Sequence, residues 1–140
     1  GDVVVVISNS GGNQVTIDLV KLAHSKGAKV IAVTSVNHAT SSSARSKSAE
    51  KIHHLADVVL DNSGVVGDAA VRVAGAKMSV APTSTVIGGA LLQSVVVGTV
   101  AELIVRGVEP EIFLSSNLAG GDENNAAIFE KFRPLINLYN

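Results

Sequence analysis

Apolar residues along the chain form short continuous runs that alternate with helix-spaced patterns, an order typical of a parallel sheet. Residues 2–8 (DVVVVIS) are a β-branched run that fits a strand buried on both faces. After a polar turn, apolar residues recur at the spacing of one helical face over residues 15–23, and Gly27 ends that segment. Residues 29–35 (KVIAVTS) repeat the strand pattern. The first 35 residues therefore predict a βαβ unit.

The rest of the chain continues this alternation, with two less regular parts. The later elements are predicted in this order: a polar, serine-rich stretch at residues 36–47, a helix at 48–56, a strand at 58–61, a short hairpin or irregular edge at 68–82, a long apolar helix at 86–105, a strand at 111–115 and a helix at 126–137. Thr83 or Ser84 fits the N-cap of the long helix. We expect an α/β fold, a three-layer α/β/α sandwich around a mostly parallel sheet of the Rossmann-like or flavodoxin-like class.

The composition excludes several classes of function. Only 3% of the 140 residues are aromatic and the net charge is −1, so the chain lacks the stacking rings and basic groove of a nucleic-acid reader. The absence of cysteine excludes disulfides, thiolate nucleophiles and Cys-ligated zinc. The longest uninterrupted apolar run, residues 3–7, is strand-sized, so we expect no membrane span and take a cytoplasmic location as the default.

Three clusters of polar side chains stand next to predicted strands and helices. Residues 8–13 follow the first strand, Thr34 and Ser35 end the second, and residues 83–85 open the long helix. Loops at the carboxyl ends of parallel strands share the edge of the sheet where ligands bind. A helix N-terminus adds free N–H groups and partial positive charge, so the combination suits a phosphate without any Lys or Arg. Each cluster alone is more often a structural turn or cap.

Known nucleotide-binding motifs are absent. The sequence contains neither GxGxxG nor GxxxxGK[ST], which argues against dinucleotides and P-loop nucleotides. The three clusters together instead resemble the SIS (sugar isomerase) domain, a family that binds phosphosugars. The resemblance rests on Ser8-Asn9-Ser10-Gly11, on Thr34-Ser35 and on Ala81-Pro82-Thr83-Ser84-Thr85, and it covers essentially the whole chain.

Further segments resemble a subgroup of uncharacterised, predicted phosphosugar-binding proteins. These segments are Asn37-His38, Ser43-Ala44-Arg45, residues 62–68, and residues 120–122 with Asn125. The resemblance implies a site for a phosphorylated sugar or amino sugar, with no cofactor. The expected ligand contacts are Ser8, Asn9, Ser10, Gly11, Gly12, Asn13, Thr34, Ser35, Thr83, Ser84 and Thr85 around the phosphate, with His38 and Asn13 on the sugar side.

Two departures from the family pattern concern the reaction. SIS domains usually begin with a further strand and Gly/Ser-rich loop, so we expect residues 1–140 to be a single SIS-type domain lacking its first strand, and a piece of a longer protein. In the arabinose-phosphate isomerase branch a histidine follows the last strand, whereas this chain has Asn117, which cannot transfer protons. The resemblance leaves two functions open: a phosphosugar (aldose–ketose) isomerase, or a non-catalytic phosphosugar sensor or regulatory module.

Few titratable residues are candidates for chemistry. His38 lies just past the second strand on the ligand edge, and it is a weak catalytic candidate, as is Glu102 in the long helix. Glu50 is a still weaker one. Arg45 either contacts a phosphate or is a solvated loop residue, while Asp68 and Asp122 cap helices, hold turns or contact sugar hydroxyls.

Two further expectations concern metals and partners. No metal site is expected, because His53 and His54 are adjacent on a predicted helix and point in different directions. The helix at residues 86–105 is apolar around much of its circumference, more than one sheet contact would cover. We therefore expect a homodimer or a larger homo-oligomer, and no nucleic-acid or membrane partner.

Overall fold

The structure is a computed structural model, and it describes residues 1–41 and 50–136. The elements in chain order are β1 (Val3–Ile7), α1 (Gln14–Ser25), β2 (Lys29–Thr34), α2 (Val36–Thr40), α3 (Ile52–Leu55), β3 (Val58–Asp61), β4 (Ala69–Val71), β5 (Val80–Pro82), α4 (Ser84–Val105), α5 (Gly121–Phe132) and a 3₁₀ turn (Arg133–Leu135). The chain divides into two compact units, residues 1–95 and residues 96–140.

A parallel sheet with the strand order β1-β2-β3 organises the first unit. Its strands lie where the apolar runs predicted them, so the mixed α/β class and the parallel pairing are confirmed. In the register, Val5 stands beside Ile31, which stands beside Val58. The predicted hairpin at residues 68–82 is present as the antiparallel pair β4–β5.

The core lies on one face of the sheet, under α1 and α3. Both helices contact β2 and each other, as expected when consecutive right-handed crossovers advance in one direction. Apolar residues at helical spacing on α1 meet alternate residues of β1 and β2. This cluster contains Val6, Ile17, Val20, Ala23, Ala28, Val30, Ala32 and Ile52. Two residues after the end of α1, Gly27 has a φ of +79°, the left-handed conformation that commonly follows a helix C-cap, and the chain turns directly into β2.

The opposite face of the sheet is covered only in part. Val33 is 1% exposed, and Gly88 of α4 lies against its side chain. In β1, however, Val3, Val5 and Ile7 on this face are 58%, 43% and 57% exposed. The expectation of a strand buried on both faces is therefore met on one face of β1, and the three-layer sandwich stays a prediction.

Helix α4 is long, apolar and largely uncovered. Of its 22 residues, only Gly88 is fully buried. By length and composition alone it passes the test for a membrane-crossing helix, with a mean hydropathy of 1.7 over an 18-residue window of which 6% is buried. Apolar helices that pack against other protein surfaces pass the same test. The expectation of no membrane span rested on the shortness of the uninterrupted apolar runs. Small and polar residues divide the apolar residues of α4 into such short runs.

Three local differences from the predictions have physical causes. A short helix, α2, begins within the predicted polar stretch because the Ser35 hydroxyl accepts a hydrogen bond from the His38 N–H and caps it. The predicted helix at 48–56 is described only over residues 50–56, where α3 forms. The predicted strand at 111–115 is wrong: instead of a neighbouring strand, the Asn125 amide donates to the Leu114 carbonyl and accepts from its N–H.

Within the second unit, an open apolar pocket of about 330 Å³ lies beside α5. All three phenylalanines of the chain line it: Phe113, Phe129 and Phe132. Its one charged lining residue, Glu111, pairs with Lys131. The pocket therefore offers aromatic surface but little that would recognise a phosphate.

At the amino ends of β2 and β3, one carboxylate joins three elements. Asp57 accepts hydrogen bonds from Lys29 Nζ at 2.7 Å and from the Val30 N–H at 2.9 Å, and its other close contact is His24 Nε2 at 3.0 Å. These interactions, led by the hydrogen bond from Lys29, hold the pKa of the Asp57 carboxyl far below its usual range. Asp57 thus ties the end of α1 to the sheet.

We predict that Asp57→Asn lowers the free energy of unfolding at pH 7, because the amide keeps only weakened contacts with Lys29 and His24. The stabilisation from a carboxyl with a depressed pKa is complete above its unfolded pKa of about 4 and is lost as the pH falls toward the folded value. Urea unfolding of the two proteins between pH 7 and pH 3 measures the difference, which should shrink below about pH 4. Asp2→Asn, at an exposed carboxylate, is the control. A difference that stays constant down to pH 3 would contradict this role.

Candidate functional site

The loop that follows β1 is hydrogen-bonded to β2 and to α3. The Ser8 N–H donates to the Val33 carbonyl at 3.0 Å, and the Gly11 N–H donates back to the Ser8 carbonyl at 3.1 Å, which closes a turn. The Gly11 carbonyl accepts from the Ile52 N–H at 2.9 Å. We call residues 8–13 the β1 loop; its conformation is set by contacts to β2 and α3.

Gly11 is required at its position for two reasons. Its φ is +60°, in the left-handed region that residues with a Cβ adopt at a cost. A Cβ atom there would also lie 3.2 Å from Thr34 Oγ1 and 3.3 Å from Ile52 Cγ1. The glycine of the Ser-x-Ser-Gly segment therefore allows the loop to pack directly on β2 and α3.

Thr34 and Ser35 hold the β1 loop in place and do not line an open surface. Both are 0% exposed. The Thr34 hydroxyl and the Ser35 N–H both donate to the Asn9 carbonyl, each at 3.1 Å. The Ser35 hydroxyl donates to the Gly64 carbonyl at 2.7 Å and accepts from the His38 N–H. These two predicted ligand contacts already use their hydroxyls within the protein.

Ser8 and Ser10 differ from that pair. Within residues 1–41 and 50–136, neither hydroxyl has a hydrogen-bond partner. Asn13, the N-cap of α1, forms no side-chain cap, so the first N–H groups of the helix, those of Gln14 and Val15, have no protein acceptor in that part of the chain either. Two hydroxyls and the positive end of a helix dipole are thus available at the carboxyl edge of the sheet.

Residues 62–67 after β3 join the same edge through α2. The Asn37 amide donates to the Gly64 carbonyl at 3.3 Å. The Gly67 N–H donates to His38 Nδ1 at 2.9 Å, so that ring nitrogen acts as an acceptor. The His38 ring is therefore oriented by a backbone contact, and its Nε2 is the nitrogen that remains for a ligand.

The amino end of α4 already holds an anion. Asp68 Oδ1 accepts from the Thr83 and Ser84 N–H groups at 3.1 and 2.9 Å, and Oδ2 accepts from the Ser84 hydroxyl at 2.6 Å. The hydrogen bond from the Ser84 hydroxyl is the main cause of a lowered Asp68 pKa. Of the predicted contacts there, Thr83 and Ser84 face this carboxylate, while Thr85 is exposed and forms no side-chain hydrogen bond to a described residue.

The remaining candidates lie elsewhere or form other interactions. Glu102 belongs to the second unit and pairs with Arg106 at 2.7 Å, and Glu50 pairs with Lys21 at 2.5 Å. Arg45 lies outside the described residues. No group of three or more His, Cys, Asp or Glu side chains that could hold a metal ion occurs among the residues that the structure describes.

The sequence reasoning missed the part played by Asn62, whereas Asp68 caps α4, one of the roles expected for it. Asn62 is 6% exposed and donates to Asn9 Oδ1 at 2.9 Å. The signal was present: residues 62–64 (Asn-Ser-Gly) follow β3 at the edge already occupied by the β1 loop. A polar residue that comes directly after a parallel strand can reach the loops of the neighbouring strands.

We predict that Gly11→Ala destabilises the protein by more than the left-handed strain of about 1–2 kcal/mol, because the new methyl group also meets Thr34 and Ile52. Gly27→Ala is the matched control, since Gly27 has a φ of +79° and nothing within 4 Å of the added Cβ. Chemical unfolding of both variants measures the two costs. Equal losses would show that packing does not constrain the β1 loop.

The β1 loop lies in a segment of the chain that matches a known family model. Residues 1–35 match the family model of the SIS domain, and that match contains the whole β1 loop. The chain is 38% identical to a UPF0309 protein of Listeria innocua, over 99% of this chain and 56% of that protein. It is 41% identical to a UPF0309 protein of Geobacillus thermodenitrificans, over 96% of this chain and 54% of that protein.

A third relative gives the same result. It is a UPF0309 protein of Halalkalibacterium halodurans, 42% identical over 94% of this chain and 54% of that protein. The chain spans about half the length of the curated relatives it matches. The resemblance expected from Ser8, Ser10 and Gly11 is therefore confirmed: the chain is a relative of the UPF0309 proteins with a SIS domain match at residues 1–35.

Proposed function

We propose that the protein binds a phosphorylated sugar or amino sugar and holds its phosphate in the β1 loop. The observation that carries this proposal is the division of polar groups at the sheet edge. Thr34 and Ser35 are used up in fixing the loop, while the hydroxyls of Ser8 and Ser10 and the first N–H groups of α1 have no partner in the described part of the chain. The SIS domain match over residues 1–35 supports the same site.

The chemistry of the loop favours a phosphate over a neutral sugar hydroxyl. Every available group named above can donate a hydrogen bond, and a phosphate accepts several at once. The dipole of α1 favours negative charge at its amino end. No carboxylate belongs to residues 8–13. The β1 loop therefore offers an anion hydrogen-bond donors and no carboxylate.

The proposal assigns the other predicted contacts to different parts of the site. The amino end of α4 is not the phosphate position in this proposal, since Thr83 and Ser84 already bind the Asp68 carboxylate. His38 Nε2 and the exposed Asn13 side chain are assigned to the sugar. In the three-layer sandwich expected from the sequence, a further layer would cover the exposed face of β1.

Isothermal titration calorimetry with hexose and heptose phosphates tests the site. We predict that Ser10→Ala weakens binding about tenfold or more, because the variant loses one hydrogen bond to a charged group. Ser25→Ala is the control, since that hydroxyl donates to the Leu22 carbonyl at the far end of α1. No binding by the folded protein, or equal binding after Ser10→Ala, would refute the proposal.

The two open uses of such a site differ in proton transfer. An aldose–ketose isomerase moves a proton between C1 and C2 of the sugar and needs an acid and a base. His38, held by the Gly67 N–H, is one titratable side chain at this edge of the sheet, and Asp61, which accepts from the Val36 and Ser63 N–H groups, is another. Incubating the protein with the same sugar phosphates in deuterated water distinguishes the two functions. Exchange of the C2 proton for deuterium supports the enzyme, and binding without exchange supports a sensor or regulatory module.

We also propose that the protein is a homo-oligomer in which α4 is covered. Support comes from the exposed apolar residues on more than one side of this helix, such as Val86 at 71%, Val96 at 55% and Val105 at 82%. Contiguous exposed apolar surface of this kind marks interaction sites. Light scattering on the purified chain should give at least twice the 14.3 kDa of one chain. A stable monomer would contradict the proposal.

A further inference from the structure

One donor at the centre of the β1 loop is buried without an acceptor. Asn9 Nδ2 is enclosed, and no acceptor in the described part of the chain lies within hydrogen-bond distance of it. Leaving a buried donor unpaired destabilises the folded state, so such groups are few in native proteins. Asn9 lies between Ser8 and Ser10, whose hydroxyls also have no partner among the described residues.

The orientation of the Asn9 amide is fixed by a chain of two hydrogen bonds. The Gly64 N–H can only donate, so the Asn62 atom 3.0 Å away must be the oxygen, Oδ1. The other end of the Asn62 amide is then Nδ2, which donates to the Asn9 oxygen at 2.9 Å. Reversing either amide would set two donors against each other. The NH₂ group of Asn9 must therefore occupy the position that lacks a partner.

The backbone holds Asn9 just as firmly. Its carbonyl accepts from both the Thr34 hydroxyl and the Ser35 N–H, and Asn62 itself is 6% exposed. The Asn62 N–H donates to the Thr34 carbonyl at 2.9 Å, which fixes Asn62 to the same strand end. Asn62 and Asn9 are 53 residues apart in sequence, yet both are anchored at the end of β2.

We propose that Asn62 is a positioning residue that sets the Asn9 amide with its NH₂ group toward a ligand oxygen. This inference rests on the proposed function and deepens it: the site selects ligand groups that only accept hydrogen bonds, which a phosphate oxygen does and a protonated amine does not. Because Asn9 Nδ2 is enclosed in this structure, side chains around it move on binding to admit that oxygen, while the backbone contacts of Asn9 to β2 stay in place.

The decisive variant reverses the amide without removing the side chain. In Asn62→Asp, one carboxylate oxygen still accepts from the Gly64 N–H, while the other accepts from Asn9 and turns its NH₂ group away from the ligand. Asn9 Oδ1 then faces the phosphate and repels it. We expect affinity for inorganic phosphate and for a hexose phosphate to fall about tenfold or more.

The matched control separates this effect from the added charge. Ser63→Asp introduces the same charge one residue away, at an exposed position with a φ of +52° that Asp tolerates. It leaves the Asn62 and Asn9 amides in place, so we expect its affinity to change much less than that of Asn62→Asp. Equal losses in the two variants would overturn the inference.

A measurement on the unaltered protein keeps the inference testable if Asn62→Asp does not fold. The Asn9 side-chain NH₂ resonances in a ¹H–¹⁵N spectrum, assigned by their loss in Asn9→Ser, should shift when inorganic phosphate or a hexose phosphate saturates the site. Unchanged Asn9 resonances while the backbone amides of the β1 loop shift would overturn the inference and leave the proposed function standing. Absence of any binding by the folded protein refutes the proposed function instead.

Discussion

The carbonyl oxygen of Asn9 accepts two hydrogen bonds on which the geometry of the whole sheet edge depends. The Thr34 hydroxyl and the Ser35 N–H both donate to it, so the loop after β1 is joined directly to the end of β2. The turn from Ser8 to Gly11 is also held by the Ser8 N–H, which donates to the Val33 carbonyl of β2, by the Asn62 amide and by the Ile52 N–H of α3. Because both donors are fully buried, solvent does not compete for these bonds, and the loop is held at the place where α1 begins.

Serines at this edge of the sheet are in two different environments. Ser35 and Ser10 are both serines at the carboxyl ends of strands, but the Ser35 hydroxyl is enclosed and bonded to the Gly64 carbonyl, while that of Ser10 has no partner among the described residues. The difference arises from burial, since an enclosed hydroxyl must find a protein partner. Some hydroxyls at this edge therefore hold the loop in place, and others have no protein partner among the described residues.

At the amino end of α4, Asp68 likewise bonds polar groups within the protein. A helix of 22 residues begins there with free N–H groups, and a carboxylate from the β3–β4 connection binds them. The exposed donors of α1, by contrast, have no such internal anion in the described residues. The two helix ends looked alike as polar clusters in the sequence, and among the described residues only that of α4 is bonded to a carboxylate.

The sequence by itself determined the βαβ unit and its three parallel strands, because continuous β-branched runs and helix-spaced apolar residues are local signals. It also determined the Ser8–Gly11 turn, where glycine is needed at φ +60°. Among the residues that the structure describes, the tertiary structure alone decided which hydroxyls have a protein partner, that Asp68 is the residue that occupies the amino end of α4, that residues 111–115 pair with no strand, and that Asn62 donates to Asn9. Those outcomes depend on hydrogen bonds between residues far apart in sequence, which no local pattern encodes.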